Sequence, residues 1–211
     1  MSASVSSSIS ALIDGLFEQY GPLIWWKGST EEVMIGAILT QQTRWENVEV
    51  ALSRLRQAGI CSIRGIFAAP MEEIEALIRP TGFFRVKARR LQGLAAHVIR
   101  EFGGVEGMRT VPTEDLRESL LSVKGVGEET ADSILCYGLG RAVFVIDAYT
   151  ERICWCAGID AGRRELKGLF ESVLPETADA CRQSHAHFVE YAKGYCGKKR
   201  CDECWIRNFD G

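Results

Sequence analysis

Apolar residues recur along nearly the whole chain at the i, i+3, i+4, i+7 spacing of an amphipathic helix. Ser29 and Glu32 form a capping-box pair ahead of the apolar run Val33–Leu39 and predict a helix start there. Val48, Ala51, Leu52 and Leu55 make one stripe; Met71, Ile74, Leu77 and Ile78 make another, stopped by Pro80 and Gly82. Leu91, Leu94, Ala95, Val98 and Ile99 make a third, stopped by Gly103 and Gly104. Pro112 and Thr113 open a further helix, with Glu114 and Asp115 in its first turn, where the dipole favours acids. Helices are also expected from Gly127 to about Tyr137 and over 148–157, 163–173 and 177–194. The strand-like run Ala142-Val-Phe-Val-Ile146 has no partner, so an extended connector is expected in place of a sheet. The opening MSASVSSSIS reads as a short flexible tail. The fold class is therefore all-α.

Composition narrows the picture. With 211 residues, 46% hydrophobic and 25% charged, the chain is an ordinary globular sequence, neither disordered nor fibrous. No apolar run approaches the ~18 residues of a membrane span, and the start has neither the basic nor the apolar region of a secretory signal. A membrane partner is not expected, and the expected location is cytoplasmic. The net charge of -3 gives no global attraction to nucleic acid, so binding would need local basic patches. One exists: between Glu75 and Glu101 there is no acid, while Arg79, Arg85, Lys87, Arg89, Arg90 and Arg100 all occur. Such a run is either a solvated helix face or a contact for a phosphate backbone.

Of the eight cysteines, Cys61, Cys136, Cys154, Cys156 and Cys181 sit in apolar or helical patterns and read as small core residues. Cys196, Cys201 and Cys204 crowd into a Gly- and Lys-rich stretch and read as a metal loop. His97, His185 and His187 show neither metal spacing nor a triad partner and are expected to be structural.

The most informative stretch is Leu120-Leu-Ser-Val-Lys-Gly-Val-Gly-Glu-Glu-Thr-Ala-Asp-Ser-Ile-Leu135. One helix ends, Gly125-Val126-Gly127 turns tightly, and a second helix starts. The glycines allow left-handed backbone and close approach. N–H groups at the new helix start can hold a phosphate, with Lys124 beside them. About twenty residues later Asp147 follows the apolar run and opens a helix, where it is either an N-cap or a reactive carboxylate.

Together these segments resemble the helix-hairpin-helix (HhH-GPD) DNA glycosylases of the endonuclease III superfamily, over roughly residues 28–205. Val123–Gly127 is similar to the hairpin, Asp147 falls on the catalytic aspartate, and Ile38-Leu-Thr-Gln-Gln-Thr43 resembles the motif whose glutamine, Gln41 here, fills the gap left by an extruded base. Gly82–Arg90 resembles the family's turn and basic helix, which makes Arg85 and Lys87 expected DNA contacts. Bifunctional members carry a lysine where this chain has Glu129, and a carboxylate forms no imine. The resemblance thus narrows to monofunctional enzymes. It is nearest the endonuclease III-type 3-methyladenine DNA glycosylases, which share Trp45 after ILTQ and the Asp132–Tyr137 text.

The resemblance implies two helical lobes, residues 31–141 with the hairpin and residues 1–30 with 142–211. Duplex DNA with damaged bases would lie in the cleft between them, bound by a monomer, with Asp147 at its mouth. It also implies that Asp147 stabilises a cationic sugar while an alkylated purine leaves. Trp25, Trp26 and Trp45 are either aromatic walls for a cationic base or core residues; Glu129 either faces that pocket or is a solvated helix-start acid. The terminal cysteines resemble the family's iron–sulfur loop, but in a C-x4-C-x2-C spacing with Asp210 in the fourth position. A [4Fe-4S] cluster on Cys196, Cys201, Cys204 and Asp210 is expected ahead of no metal or zinc, with Lys198 and Lys199 turned to DNA. Two other readings stay open: excision of a mismatched or oxidised base, and a non-catalytic DNA-binding hairpin protein.

Overall fold

The computed structural model describes residues 2–209. Among them the regular structure is entirely helical: α1 Ser2–Tyr20, α2 Thr30–Leu39, α3 Trp45–Gln57, α4 Ile63–Ala68, α5 Met71–Leu77, α6 Phe84–Phe102, α7 Val105–Met108, α8 Thr113–Leu121, α9 Glu128–Ser133, α10 Ala148–Cys156, α11 Arg163–Val173 and α12 Ala178–Gly194. The all-α reading holds. Contacts divide the chain into two compact units, Gly28–Leu139 and Met1–Lys27 with Gly140–Gly211.

In the Gly28–Leu139 unit, α2 is the central element. Every residue from Val33 to Leu39 is buried, as a helix apolar all round must be. Its start is the expected capping box: the Ser29 hydroxyl accepts from the Glu32 N–H at 3.2 Å, and the Glu32 carboxylate accepts from the Ser29 N–H at 3.1 Å. α3 and α6 pack on α2, and α4 and α5 pack on α6. α6 buries Ala88, Leu91, Leu94, Ala95 and Val98, the stripe its sequence shows. After α9 the helix widens into a π-turn over Ile134–Gly138 that packs against α2, where the Thr30 hydroxyl donates to the Gly138 carbonyl at 2.8 Å.

In the other unit, α1 lies against α11 and α12, and α10 lies against α12. The expected flexible tail is thus corrected: the chain from Ser2 is the first part of α1. The overlooked signal is Ile9, Leu12 and Leu16, one apolar edge spaced at three and four residues and fully buried. The core continues through Phe144, stacked on Phe170 at 4.1 Å, with Phe188 edge-on to Phe170 at 5.2 Å.

The run Ala142–Ile146 is an extended connector, and several of its backbone groups find partners without a sheet. α11 supplies the partners: the Phe144 N–H donates to Glu171 at 2.9 Å, Lys167 donates to the Phe144 carbonyl at 3.2 Å, and Arg163 donates to the Ile146 carbonyl at 2.8 Å. Buried backbone groups need such partners. This arrangement delivers residue 147 to the start of α10 in a fixed position.

Candidate functional site

Asp147 is the N-cap of α10, with extended backbone and a buried side chain. One carboxylate oxygen accepts from the Thr150 N–H at 2.7 Å and from the Thr150 hydroxyl at 2.8 Å. The other lies 3.8 Å from Nε2 of His185 on α12, too long for a hydrogen bond. Burial alone would push this carboxyl up. The nearby imidazole and the Thr150 donors outweigh that and hold it below the ordinary range. The geometry therefore maintains a carboxylate anion in a buried position, one oxygen committed to the cap and the other beside His185. A group so easily ionised is a weak base and a good electrostatic partner for a developing cation.

The hairpin runs from α8 through Ser122–Gly127 into α9. The Val126 N–H closes the turn on the Val123 carbonyl at 3.0 Å. Gly125 has φ +94, and a Cβ there would meet the Arg90 side chain at 2.6 Å, so both backbone and space require glycine. Gly127 is different. Its φ of -97 is open to any residue, and a Cβ would touch nothing in the protein. Arg117 of α8 binds the buried Asp132 of α9 through two hydrogen bonds, 2.7 and 3.1 Å, fixing the angle between the two helices.

Gln41 is tied into this hairpin. Its amide donates to the Gly125 carbonyl and the Thr130 hydroxyl, both at 3.1 Å, and its carbonyl accepts from Arg90. To fill a gap in a duplex it would have to leave these partners. Beside the hairpin, a groove of about 700 Å³ is lined by Arg89, Arg90, Arg100, Lys124 and Gly125, with the acid Glu101 also on its wall. Lys124 is exposed there. With four basic side chains against the one acid Glu101, this groove is net positive on a chain of negative net charge.

The basic run on α6 divides by function. Arg85 is exposed, 3.8 Å from the Glu75 carboxylate and lying over the Phe84 ring. Lys87 is a correction: it is 2% exposed and makes no surface contact. Its ammonium donates to the Leu39 and Thr81 carbonyls, both at 2.8 Å, capping the C-terminal end of α2. Burial, with a smaller contribution from Arg90, pushes its pKa down to about 8. The side chain lies one helical turn from Leu91 and follows the buried stripe, so position on the helix overrode charge.

Trp25 and Trp26 are half-buried in the segment between α1 and α2, and Trp45 is half-buried at the first residue of α3. The ammonium of Lys193 lies 4.4 Å from the Trp25 ring centre, so one aromatic face already holds a cation. Glu129 is exposed in the first turn of α9.

Beyond α12 the chain folds into a compact loop. Gly197 donates to Ala192 at 2.8 Å, Arg200 to Tyr195 at 2.9 Å, and Cys204 to Cys201 at 3.3 Å. Cys196 is half-buried, Cys201 exposed and Cys204 buried, and the Tyr191 hydroxyl donates to the Cys204 sulfur at 3.2 Å. Lys198 and Lys199 are exposed between the first two cysteines. Asp210 lies outside the described residues. Cys156 is only half-buried, at the end of α10. Burial and then the neighbouring Cys204 and Cys201 push its thiol up, and Cys196 is raised by burial with the same neighbours and Cys156. Thiolates are the donor chemistry an iron–sulfur cluster uses, and this loop supplies three of the four that such a cluster takes. Among the described residues, no three His, Cys, Asp or Glu side chains are drawn together tightly enough to enclose a single metal ion.

Sequence reasoning missed three neighbours of these sites. Thr150 was legible, standing three residues after an N-cap. His185 had no local signal, because only the packing of α10 on α12 brings it to Asp147; His97 and His187 do make structural bonds, to Ser119 and to the Gly21 carbonyl. Phe83 is 65% exposed on a left-handed backbone, φ 46, just before α6.

Comparison with known proteins agrees with this geometry. Residues 35–176 match the model of the HhH-GPD superfamily base excision DNA repair proteins. The protein MJ1434 of Methanocaldococcus jannaschii, assigned the name of a DNA repair glycosylase, is 40% identical over 201 residues, covering 92% of this chain and 91% of its own. Endonuclease III of Thermotoga maritima is 29% identical over 180 residues, covering 83% and 80%. The crystal structure of the H. pylori 3-methyladenine DNA glycosylase MagIII, bound to 1,N6-ethenoadenine, superposes with a TM-score of 0.75 at 29% identity, covering 92% of this chain and 97% of that one. The helical fold, the hairpin and the extent of the family match lead to one assignment: this chain belongs to the HhH-GPD superfamily of base excision DNA repair proteins and is a DNA glycosylase.

Proposed function

We propose that this glycosylase is monofunctional and removes alkylated purines, 3-methyladenine in particular, from duplex DNA. The observation that carries the reading is Asp147, a buried carboxylate kept ionised beside His185 and Thr150. An N-alkylated purine already carries positive charge, so its glycosidic bond breaks with the electron pair leaving on the base and little acid assistance. The sugar becomes a cation that the Asp147 anion stabilises, and water then adds to it and releases its proton to solvent. Glu129 at the start of α9 has no route to an imine, which supports base release without strand cleavage. The similarity to MagIII supports the alkylpurine choice.

The target base must leave the stack to be reached. The groove with Lys124, Arg89 and Arg100 suits the phosphate backbone, and Phe83 suits an apolar wedge between base steps. A [4Fe-4S] cluster in the cysteine loop would hold Lys198 and Lys199 in a fixed, DNA-facing surface.

The test is base release from duplexes carrying 3-methyladenine, 7-methylguanine, thymine glycol or uracil, with strand cleavage scored separately. Release of the methylated purines, with abasic sites intact until alkali is added and no borohydride-trapped adduct, is expected. Preferential release of uracil or thymine glycol would refute the substrate, and efficient trapping would refute the monofunctional mechanism.

A further inference from the structure

The cysteine loop holds three thiols of its own, and a four-thiolate site needs one more. α10 packs against the turn Trp205–Asn208, which directly follows Cys204, and against α12, whose end leads to Cys196. Cys156 is the last residue of α10 and is half-buried. It lies within electrostatic reach of Cys204 and Cys201, and Cys196 within reach of Cys204, Cys201 and Cys156. The helix contacts, with these mutual interactions beside them, bring cysteines from two elements far apart in sequence to the same end of the unit. Cys154, two residues earlier, points into the core, where burial pushes its thiol up to about 12. One helix end thus carries a buried core cysteine and a half-buried one.

Charge and hydrogen bonding suit a cluster at this place. Four thiols lose four protons on ligation, leaving a net negative site. Arg152, one turn before Cys156, interacts with both Cys156 and Cys196, and Arg207 with Cys156. The buried Tyr191 donates its hydroxyl to the Cys204 sulfur at 3.2 Å, the kind of hydrogen bond that tunes cluster sulfurs. A cubane cluster also accepts thiolates spaced more widely than the ~2.3 Å bonds around one zinc ion allow.

We propose that Cys156, from the end of α10, supplies the fourth thiolate of an iron–sulfur site whose other ligands are Cys196, Cys201 and Cys204. Asp210 is then not required. The consequence is mechanical: α10 begins with Asp147 and ends in the cluster, so the site fastens the helix that carries the reactive carboxylate to the loop that carries Lys198 and Lys199. The inference rests on reading the terminal loop as a metal loop, and not on the choice of damaged base.

The experiment uses the full chain, purified without oxygen and reconstituted with ferrous iron and sulfide. Iron, sulfide and zinc are counted per chain, and absorption and electron paramagnetic resonance spectra are recorded. Wild type should hold about four irons. Cys156→Ser should lose at least half of the iron, as Cys196→Ser does, while Asp210→Asn and Cys61→Ser keep it all. Alkylation followed by mass spectrometry needs no variant: Cys156 should be protected at least tenfold in loaded protein and react after chelation, with Cys61 unchanged. Full iron and an unaltered spectrum in Cys156→Ser, or equal alkylation of Cys156 before and after chelation, would overturn the proposal. Iron loss in Asp210→Asn would give the fourth position to Asp210. Stoichiometric zinc in place of iron would overturn the cluster, and a wild type that takes up neither would overturn the metal loop itself. Base release, measured separately, tells these failures from failure of the glycosylase reading.

Discussion

Gly125 and Gly127 form one motif in sequence but face opposite constraints. At Gly125 an alanine meets two penalties. Its backbone, at φ +94, costs an L-residue roughly 1–2 kcal/mol. Its Cβ would lie 2.6 Å from Cγ, Cδ and Nε of Arg90. These are mid-chain atoms of a half-buried side chain bonded to Gln41, so Arg90 must swing out whole. That loses a charge-assisted hydrogen bond of about 1.5–3 kcal/mol. Taking about 3 kcal/mol in all, at ~2–4 °C per kcal/mol for a chain of this size, Gly125→Ala should melt about 6–12 °C below wild type. At Gly127 the backbone is ordinary and the space is open. Loss of unfolded-state freedom stabilises Gly127→Ala by up to ~1 kcal/mol, and the poorer N-cap costs about as much. Its melting temperature should stay within about 3 °C. Yet a methyl where a phosphate must approach the backbone should weaken binding to an abasic-analogue duplex at least fivefold. The assays are thermal melting by circular dichroism and fluorescence anisotropy at fixed salt. A Gly125→Ala variant that melts with wild type would refute the steric argument, and Gly127→Ala binding as tightly as wild type would refute the interface.

Three further outcomes are expected. Asp147→Asn keeps the cap, since asparagine caps as well as aspartate; it should melt near wild type and lose about 10²–10³ in single-turnover base release, and near-normal turnover would remove Asp147 from the chemistry. Lys87 gives up its proton near pH 8 when folded and near 10.4 when unfolded. The unfolded chain binds more protons between those values, so this group makes stability rise with pH across that window, by at most about 3 kcal/mol. Lys87→Met should flatten that rise in urea titrations at pH 7–10, and identical slopes in both proteins would sink the assignment. Lys124→Ala should reduce the slope of log K against log salt by about 0.9, whereas Lys87→Met should leave it unchanged because Lys87 reaches no phosphate; equal changes would mean that the exposed and buried lysines were wrongly distinguished.

Most of the helices and the family are legible in the sequence, whereas α1 and the short α4 and α7 are not. The stripes on α3 and α6, the capping box of α2 and the apolar run before Asp147 are local patterns, and local backbone chemistry decides them. The hairpin was legible for the same reason, since glycine spacing writes turn geometry directly. The Ser-rich start of α1 was misread because one buried edge, Ile9, Leu12 and Leu16, was masked by composition. Packing, in contrast, sets the properties that depend on neighbours distant in sequence. A charge count placed Lys87 on DNA; the packing of α6 on α2 placed it on two carbonyls instead. A lone histidine became the companion of Asp147 once α12 packed on α10, and a cysteine read as core became a neighbour of three others. Burial, ionisation and ligation are set by summed long-range contacts, and no local window of sequence contains them.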